Sequence, residues 1–206
     1  MALNAADAVP VTLQRLEATA ENEGVALLAE AFRDDPFVAR VAARAARPAA
    51  EAATILLRYN VAVAAALDWP MMGAWHPSRL VGVAILAPPL HRQAWPVAIA
   101  RHYERAAEQL GAEAIAFVER IAQWTATQRP LHPHWRLAAL AVQPAMQGRG
   151  IGAQLLAWGQ REAGEGQSIW VETQSATAAD FYQRHGYWLH SYAEFMELPL
   201  WTLKRC

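Results

Sequence analysis

The residues Gln147-Gly148-Arg149-Gly150-Ile151-Gly152 follow an apolar run that ends Leu140-Ala141-Val142, and they precede an amphipathic one. An apolar strand that empties through a glycine-dense turn into a helix gathers unpaired backbone N–H groups, with the positive end of a helix dipole, around one point. Such a point binds phosphate. Glycine at 148, 150 and 152 is expected to let the backbone take positive φ and to let a bulky anion approach the main chain without a Cβ in the way. Ile151, Leu155, Trp158 and Gly159 recur at helical spacing, so one face of the helix can pack on the preceding strand and hold the turn rigid.

Three readings compete for such a turn. A nucleotide P-loop closes on Lys-Ser/Thr, whereas Ile151-Gly152-Ala153 offers no side chain for a β- or γ-phosphate or for Mg²⁺. A dinucleotide fingerprint fits Gly148-x-Gly150-x-x-Ala153 only in its looser form, and the motif sits late in the chain instead of opening a six-stranded domain. The third reading is a glycine-rich helix start with no ligand.

The elements that must position this turn follow from periodicity and punctuation. The spacing predicts a strand over Val11–Leu16 and a helix over Glu21–Phe32 that Asp34-Asp35-Pro36 stops. A second helix runs from Pro48 to about Asp68, and a strand pair, Met71–Trp75 and Leu80–Leu86, turns at His76-Pro77-Ser78-Arg79. Between Pro88 and Pro130 two helices are expected, Pro96–Leu110 and Ala112–Thr127, separated by Gly111. Strands follow at Trp135–Val142 and Ser168–Thr173, with the glycine turn and a helix to about Ala163 between them. Thr177-Ala178-Ala179-Asp180 has capping-box spacing, so a short helix bearing Tyr182 is expected to start near Thr177. Strands at Tyr187–Tyr192 and Leu200–Lys204 end the chain, and Pro199 is expected to keep the interval between them out of the sheet.

Size and composition narrow the field. The chain has 206 residues, 54% hydrophobic and 18% charged, enough for a single domain with a sizeable core and unlike a disordered chain. A formal charge of −1 gives no electrostatic case for nucleic acid or an anionic membrane. The one cysteine, Cys206, allows no intrachain disulfide, and a catalytic thiolate is not expected there. Asp7 and the lack of a basic n-region argue against a signal peptide in the first twenty residues, and Ala52–Leu67 is too short to span a bilayer; a cytoplasmic location is expected. No pair of histidines beyond His132-x-His134 approaches metal-ligand spacing, so no metal is expected.

The segment Q-x-x-G-x-G after a strand ending L-A-V-x-P resembles the acetyl-CoA pyrophosphate loop of the GNAT superfamily of N-acetyltransferases. A second segment agrees: Ile169-Trp170-Val171-Glu172-Thr173 reads as the next strand, and Phe181-Tyr182-Gln183-Arg184-His185-Gly186-Tyr187 is similar to the F-Y-x-R-x-G-F signature that follows it in that family. The resemblance covers essentially the whole chain as a single 1–206 domain with a helical insert at about 91–129. It implies an α/β fold with a central mixed, splayed β-sheet flanked by helices, in which the strands ending at Val142 and Thr173 part and the pantetheine arm lies between them. His134-Trp135-Arg136-Leu137, Glu172-Thr173 and Leu198-Pro199-Leu200-Trp201 are most similar to the puromycin acetyltransferase-like branch.

The resemblance implies transfer of an acetyl group from acetyl-CoA to a small primary amine. Backbone from Gln147 through Gly148, Arg149, Gly150, Ile151 and Gly152 would hold the pyrophosphate. Leu140, Ala141 and Val142 would hold the pantetheine, with the Val142 N–H against the thioester oxygen. Tyr182 is expected as general acid, since a phenol of pKa about 10 can protonate a departing thiolate of about 8.5; Phe181 is then assigned to the core. Glu172 is the first candidate base, with a solvated strand end as its bland alternative. Asp34 and Asp35 could attract a cationic amine or merely end a helix, and Asp35, Trp135 and Glu172 are taken to border the acceptor site. Trp158, Trp170 and Trp188 fall on core-facing spacings. No asparagine stands between Gln174 and Ala179, so a pantetheine contact common in the family is in doubt. The insert is expected to lid the acceptor site, and a homodimer is allowed. A non-catalytic acyl-CoA sensor on the same fold is the competing reading.

Overall fold

Every residue of the strand Arg79–Ala87 after the first is buried, which an antiparallel strand sustains only when helices cover both faces of its sheet. The computed structural model describes residues 10–17, 20–89 and 97–205; the readings made for residues 1–9, for 91–96 of the insert and for Cys206 lie outside the described residues. In chain order the elements are β1 (Thr12–Arg15), α1 (Glu21–Ala31), α2 (Pro36–Ala42), α3 (Ala49–Ala66), β2 (Met71–His76), β3 (Arg79–Ala87), α4 (Val97–Leu110) and α5 (Ala112–Thr127), then β4 (Trp135–Val142), α6 (Ile151–Ala163), β5 (Ile169–Thr173), α7 (Ala176–Arg184), β6 (Trp188–Phe195) and β7 (Leu198–Arg205). The seven strands form one sheet in the order β1-β2-β3-β4-β5-β7-β6. This is the expected mixed α/β architecture, and the two insert helices fall where Gly111 divides them.

Two cores sandwich the sheet. On one face Leu137, Val171 and Leu203 meet Ile151, Leu155 and Leu156 of α6 and Tyr182 of α7. On the other, Val83 and Ile85 meet Val25 and Leu28 of α1 with Leu57 and Val61 of α3. A third cluster joins Val38 and Val41 of α2, Leu56, Phe117 and Ile121 of α5, and Leu198 at the start of β7. Among the described residues no helix is long and apolar enough to cross a membrane.

The sheet opens at one place. All neighbouring strands are antiparallel except β4 and β5, which are parallel over only three pairs: Trp135–Ile169, Arg136–Trp170 and Leu137–Val171. On its other side β4 pairs Leu137 with Leu86 and Ala139 with Ile85, so Ala138 has no opposite number. A bulge bends its strand and increases local twist. It sits at the residue where β4 leaves β5, and beyond it Ala138 to Val142 have no partner on β5.

Local chemistry departs from expectation in four places. Asp34-Asp35-Pro36 does end α1, but it also begins α2: Asp35 accepts from the N–H groups of Phe37 and Val38 at 3.0 Å, with Pro36 at the first helical position. The helix of Tyr182 is capped by Ser175, whose Oγ accepts from Ala178 N–H at 3.3 Å, and not at Thr177. Pro199 lies within β7 opposite Glu194; β5 reaches β7 only as far as Trp201, so the missing N–H faces no strand. The tight β6–β7 turn is made by Met196 and Glu197, both at positive φ. Trp188, expected in the core, is 57% exposed on the edge strand β6.

Candidate active site

The turn into α6 has the backbone that the glycines suggested, with one difference. Gly148 and Gly150 have φ of 74° and 76°, a region that costs other residues dearly. Gly150 is the N-cap of α6 with no side-chain cap, which leaves the first N–H groups of a 13-residue helix without a side-chain acceptor. A Cβ at Gly148 would meet nothing within 4 Å. Gly152 is helical instead of left-handed: it is needed because a Cβ there would stand 3.0 Å from Cζ of Phe181. Gln147, Gly148 and Arg149 are exposed, and Ile151 anchors the helix start in the core at 1% exposure.

The edge of β4 that faces the gap has an alternating character. Gln143 N–H donates to Val81 O at 2.9 Å, while Val142 lies opposite Gly82. That bond marks Val142–Gly82 as a pair that exchanges no bonds of its own, so the Val142 N–H and C=O turn away from β3 into the gap. Leu140, opposite Ala84, shares this phase. Gln147 Nε2 donates to Val142 O at 3.1 Å, which leaves the Val142 N–H as the donor turned toward the opening. Ala141 has the opposite phase; its backbone is turned to Val83 of β3 and its side chain is buried in the core under α1 and α3, so it drops out of the expected set.

Tyr182 and Phe181 exchange their expected environments. Tyr182 is 6% exposed within the core between α6, α7 and the sheet, its ring 5.4 Å from Phe181 and 5.6 Å from Tyr187. Phe181 is half-buried against Gly152. Burial, with Tyr187 adding to it, pushes the Tyr182 phenol well above its ordinary pKa, so it stays protonated across the neutral range. Its hydroxyl has no hydrogen-bond partner among the described residues.

The opposite face of the sheet, beside the vertex where β4 and β5 part, is built from side chains. Glu172 accepts from Arg129 Nε at 2.7 Å and from Arg129 Nη2 at 2.8 Å, with its side chain 10% exposed. Arg129 follows α5, so the insert reaches this face. Burial works against the Arg129 charge, but the Glu172 pair wins and raises its pKa. With both oxygens held by one guanidinium, Glu172 is arranged as a positioning group rather than as a base. Arg136, the neighbour of Trp170 in register, lies 5.7 Å from the ring centre of Trp69 and has no hydrogen-bond or ion-pair partner among the described residues. Burial, then Arg129, push the Arg136 guanidinium down to about 10, with Glu172 partly offsetting them. Trp170 meets His134 and His190 edge-on at 5.8 and 4.8 Å, and burial lowers the His134 pKa.

The structure therefore splits the expected acceptor triad. Glu172 lies on this face, whereas Trp135 packs on the other, against the core under α6 and α7. Asp35 is engaged by the start of α2, and burial raises its carboxyl above the ordinary range against the pull of those two N–H groups. Sequence reasoning missed Arg129, Arg136 and the Ala138 bulge. An arginine within an apolar strand was the one local signal, at Arg136; the other two depend on pairing with distant residues.

Comparison with known proteins agrees with this geometry. Residues 106–188 match the sequence model of the acetyltransferase (GNAT) domain; these include β4, the glycine turn, α6, β5 and α7. No curated protein matches the chain significantly by sequence. Among solved structures, one from Corynebacterium glutamicum described as "histone acetyltransferase HPA2 and related acetyltransferase" superimposes with a TM-score of 0.73 at 23% identity, covering 96% of each chain. Arylalkylamine N-acetyltransferase 2 from Aedes aegypti gives 0.70 at 11% identity, over 96% of this chain and 99% of that one. Polyamine N-acetyltransferase from Drosophila melanogaster gives 0.61 at 17%, over 95% and 99%. Residues 106–188 thus resemble the acetyltransferase (GNAT) domain, and the chain as a whole has the fold of these acetyltransferase structures.

Proposed function

We propose that the protein transfers an acetyl group from acetyl-CoA directly to the primary amine of a small molecule. The observation that carries this reading is the gap between β4 and β5, edged by the Leu140 and Val142 backbone and ending at an uncapped helix start behind two left-handed glycines. The N–H groups at the start of α6 suit a pyrophosphate, and the main-chain amides of Leu140 and Val142 suit the amides of a pantetheine arm. Acetyl-CoA supplies the electrophilic thioester carbonyl. The Val142 N–H stabilises negative charge that develops on that oxygen. As the amine nitrogen forms its bond to the carbonyl carbon and the carbon–sulfur bond breaks, Tyr182 donates its phenolic proton to the leaving sulfur, and the amine's own proton leaves through water. With Glu172 held by Arg129, solvent is the better-supported proton acceptor.

The sequences around His134 and Leu198 that resemble the puromycin acetyltransferase branch point to an antibiotic-like or metabolite amine. A cytoplasmic location belongs to the same reading, which also allows a homodimer. Thiol release from acetyl-CoA across a panel of primary amines, with calorimetric measurement of CoA binding, tests it. Binding with turnover of at least one amine is expected. Binding without turnover of any amine would identify a sensor, and absence of CoA binding would remove both readings.

A further inference from the structure

Around Arg136 the face of the sheet away from α6 and α7 holds several donors and, among the described residues, a single carboxylate. Glu172 is the carboxylate near the two guanidiniums, and it gives both its oxygens to Arg129. Arg136 is left with the face of Trp69 at 5.7 Å, a contact near the limit for a cation–π interaction. A guanidinium so placed is poorly compensated. Three further groups on this face lack partners among the described residues although fully enclosed: the indole N–H of Trp69, that of Trp170 beside Arg136, and the hydroxyl of Thr202, which lies opposite Glu172. The fourth such group, Trp75 Nε1, belongs to β2, two strands away. Buried polar groups are nearly always satisfied, and this concentration beside the vertex of the gap lies where an acceptor amine would have to approach a carbonyl held between β4 and β5.

We propose that Arg136 receives a carboxylate on the acceptor, so that the substrate class is an amino acid or another small amine that carries a carboxylate. The guanidinium suits a carboxylate through paired N–H donors, and neighbouring indole or hydroxyl donors can take its remaining lone pairs. The inference rests on the acetyl-transfer reading for its chemistry, but the anion site can be measured without it.

The test compares amino acids with their carboxamides, including β- and γ-amino acids, as acceptors for the full-length protein. The carboxylate form is expected to show kcat/KM on the order of 10- to 100-fold above its amide, mainly through KM, the range for a hydrogen-bonded charged pair. In Arg136→Gln that preference should collapse toward one, and Arg136→Lys should restore part of it. In parallel, calorimetry with N-acetyl amino acids in the presence of CoA should show binding by the wild type that Arg136→Gln loses, with CoA affinity as the check on folding. If no amine is acetylated yet this binding and its loss are seen, the carboxylate site stands and the transfer reading falls. Equal use of amides and acids, or a preference that survives Arg136→Gln, overturns the carboxylate site and leaves acetyl transfer intact.

Discussion

The two faces of the gap between β4 and β5 are built by different means, and on the proposed reading each would recognise its ligand accordingly. On the side of α6 and α7 the groups that matter are main chain: N–H donors of a helix start, two left-handed glycines, and the Leu140 and Val142 amides. On the opposite side they are side chains from separated parts of the chain: Arg129 after α5, Arg136 on β4, Glu172 on β5 and Trp69 before β2. Main-chain recognition needs a shape, and shape constrains sequence locally. Side-chain recognition needs only that distant residues meet, so it can change with the acceptor while the fold persists.

If that contrast is right, the largest single loss should come from the main-chain side. Gly150→Val puts a β-branched residue at φ 76° and should weaken CoA binding on the order of 10²-fold by calorimetry. Valine at this site with unchanged affinity would end the argument for a backbone cradle. Tyr182→Phe should lower kcat by up to about 10²-fold while leaving CoA affinity and thermal stability nearly unaltered, because the hydroxyl has no partner to lose among the described residues. A full-rate phenylalanine variant would remove the acid from the mechanism.

The side-chain face should respond in stability as well as in acceptor choice. Glu172→Ala leaves Arg129 without its carboxylate and Arg136 beside an uncompensated guanidinium. The loss is about 2 kcal/mol once the partial exposure of Arg129 is allowed for, or a Tm lower by about 4–8 °C. Adding Arg129→Ala should recover part of it in a double-mutant cycle; if Glu172 were instead the base, the single variant would lose one limb of the pH–rate profile. The smallest effect concerns Asp35. Its carboxyl is raised by burial, so stability falls as pH rises from the ordinary carboxylate range through the raised value. Asparagine caps a helix as well as aspartate does, so Asp35→Asn should gain up to about 1 kcal/mol at neutral pH and nothing below both pKa values, read as Tm against pH.

What sequence could disclose follows the same division. The turn, its helix, the division of the insert at Gly111 and the mixed sheet were legible because glycine, proline and apolar period act over a few residues. The contents of the acceptor face were not. Glu172 reads the same whether it is solvated or locked to Arg129, since a separation of 43 residues along the chain says nothing of their meeting. Trp135 and Glu172 looked like neighbours until strand parity set them on opposite faces. Which of Phe181 and Tyr182 is the more deeply buried was not legible, because adjacent helical positions reveal that two rings diverge, not which one the core receives.

The unopposed Ala138 has a consequence for how the gap between β4 and β5 can be closed. Because one surplus residue shifts the phase of everything after it on β4, removing that residue is more damaging than replacing it. A chain lacking Ala138 could zip β4 to β5 through to its end, and the result would be a more regular sheet with the gap sealed.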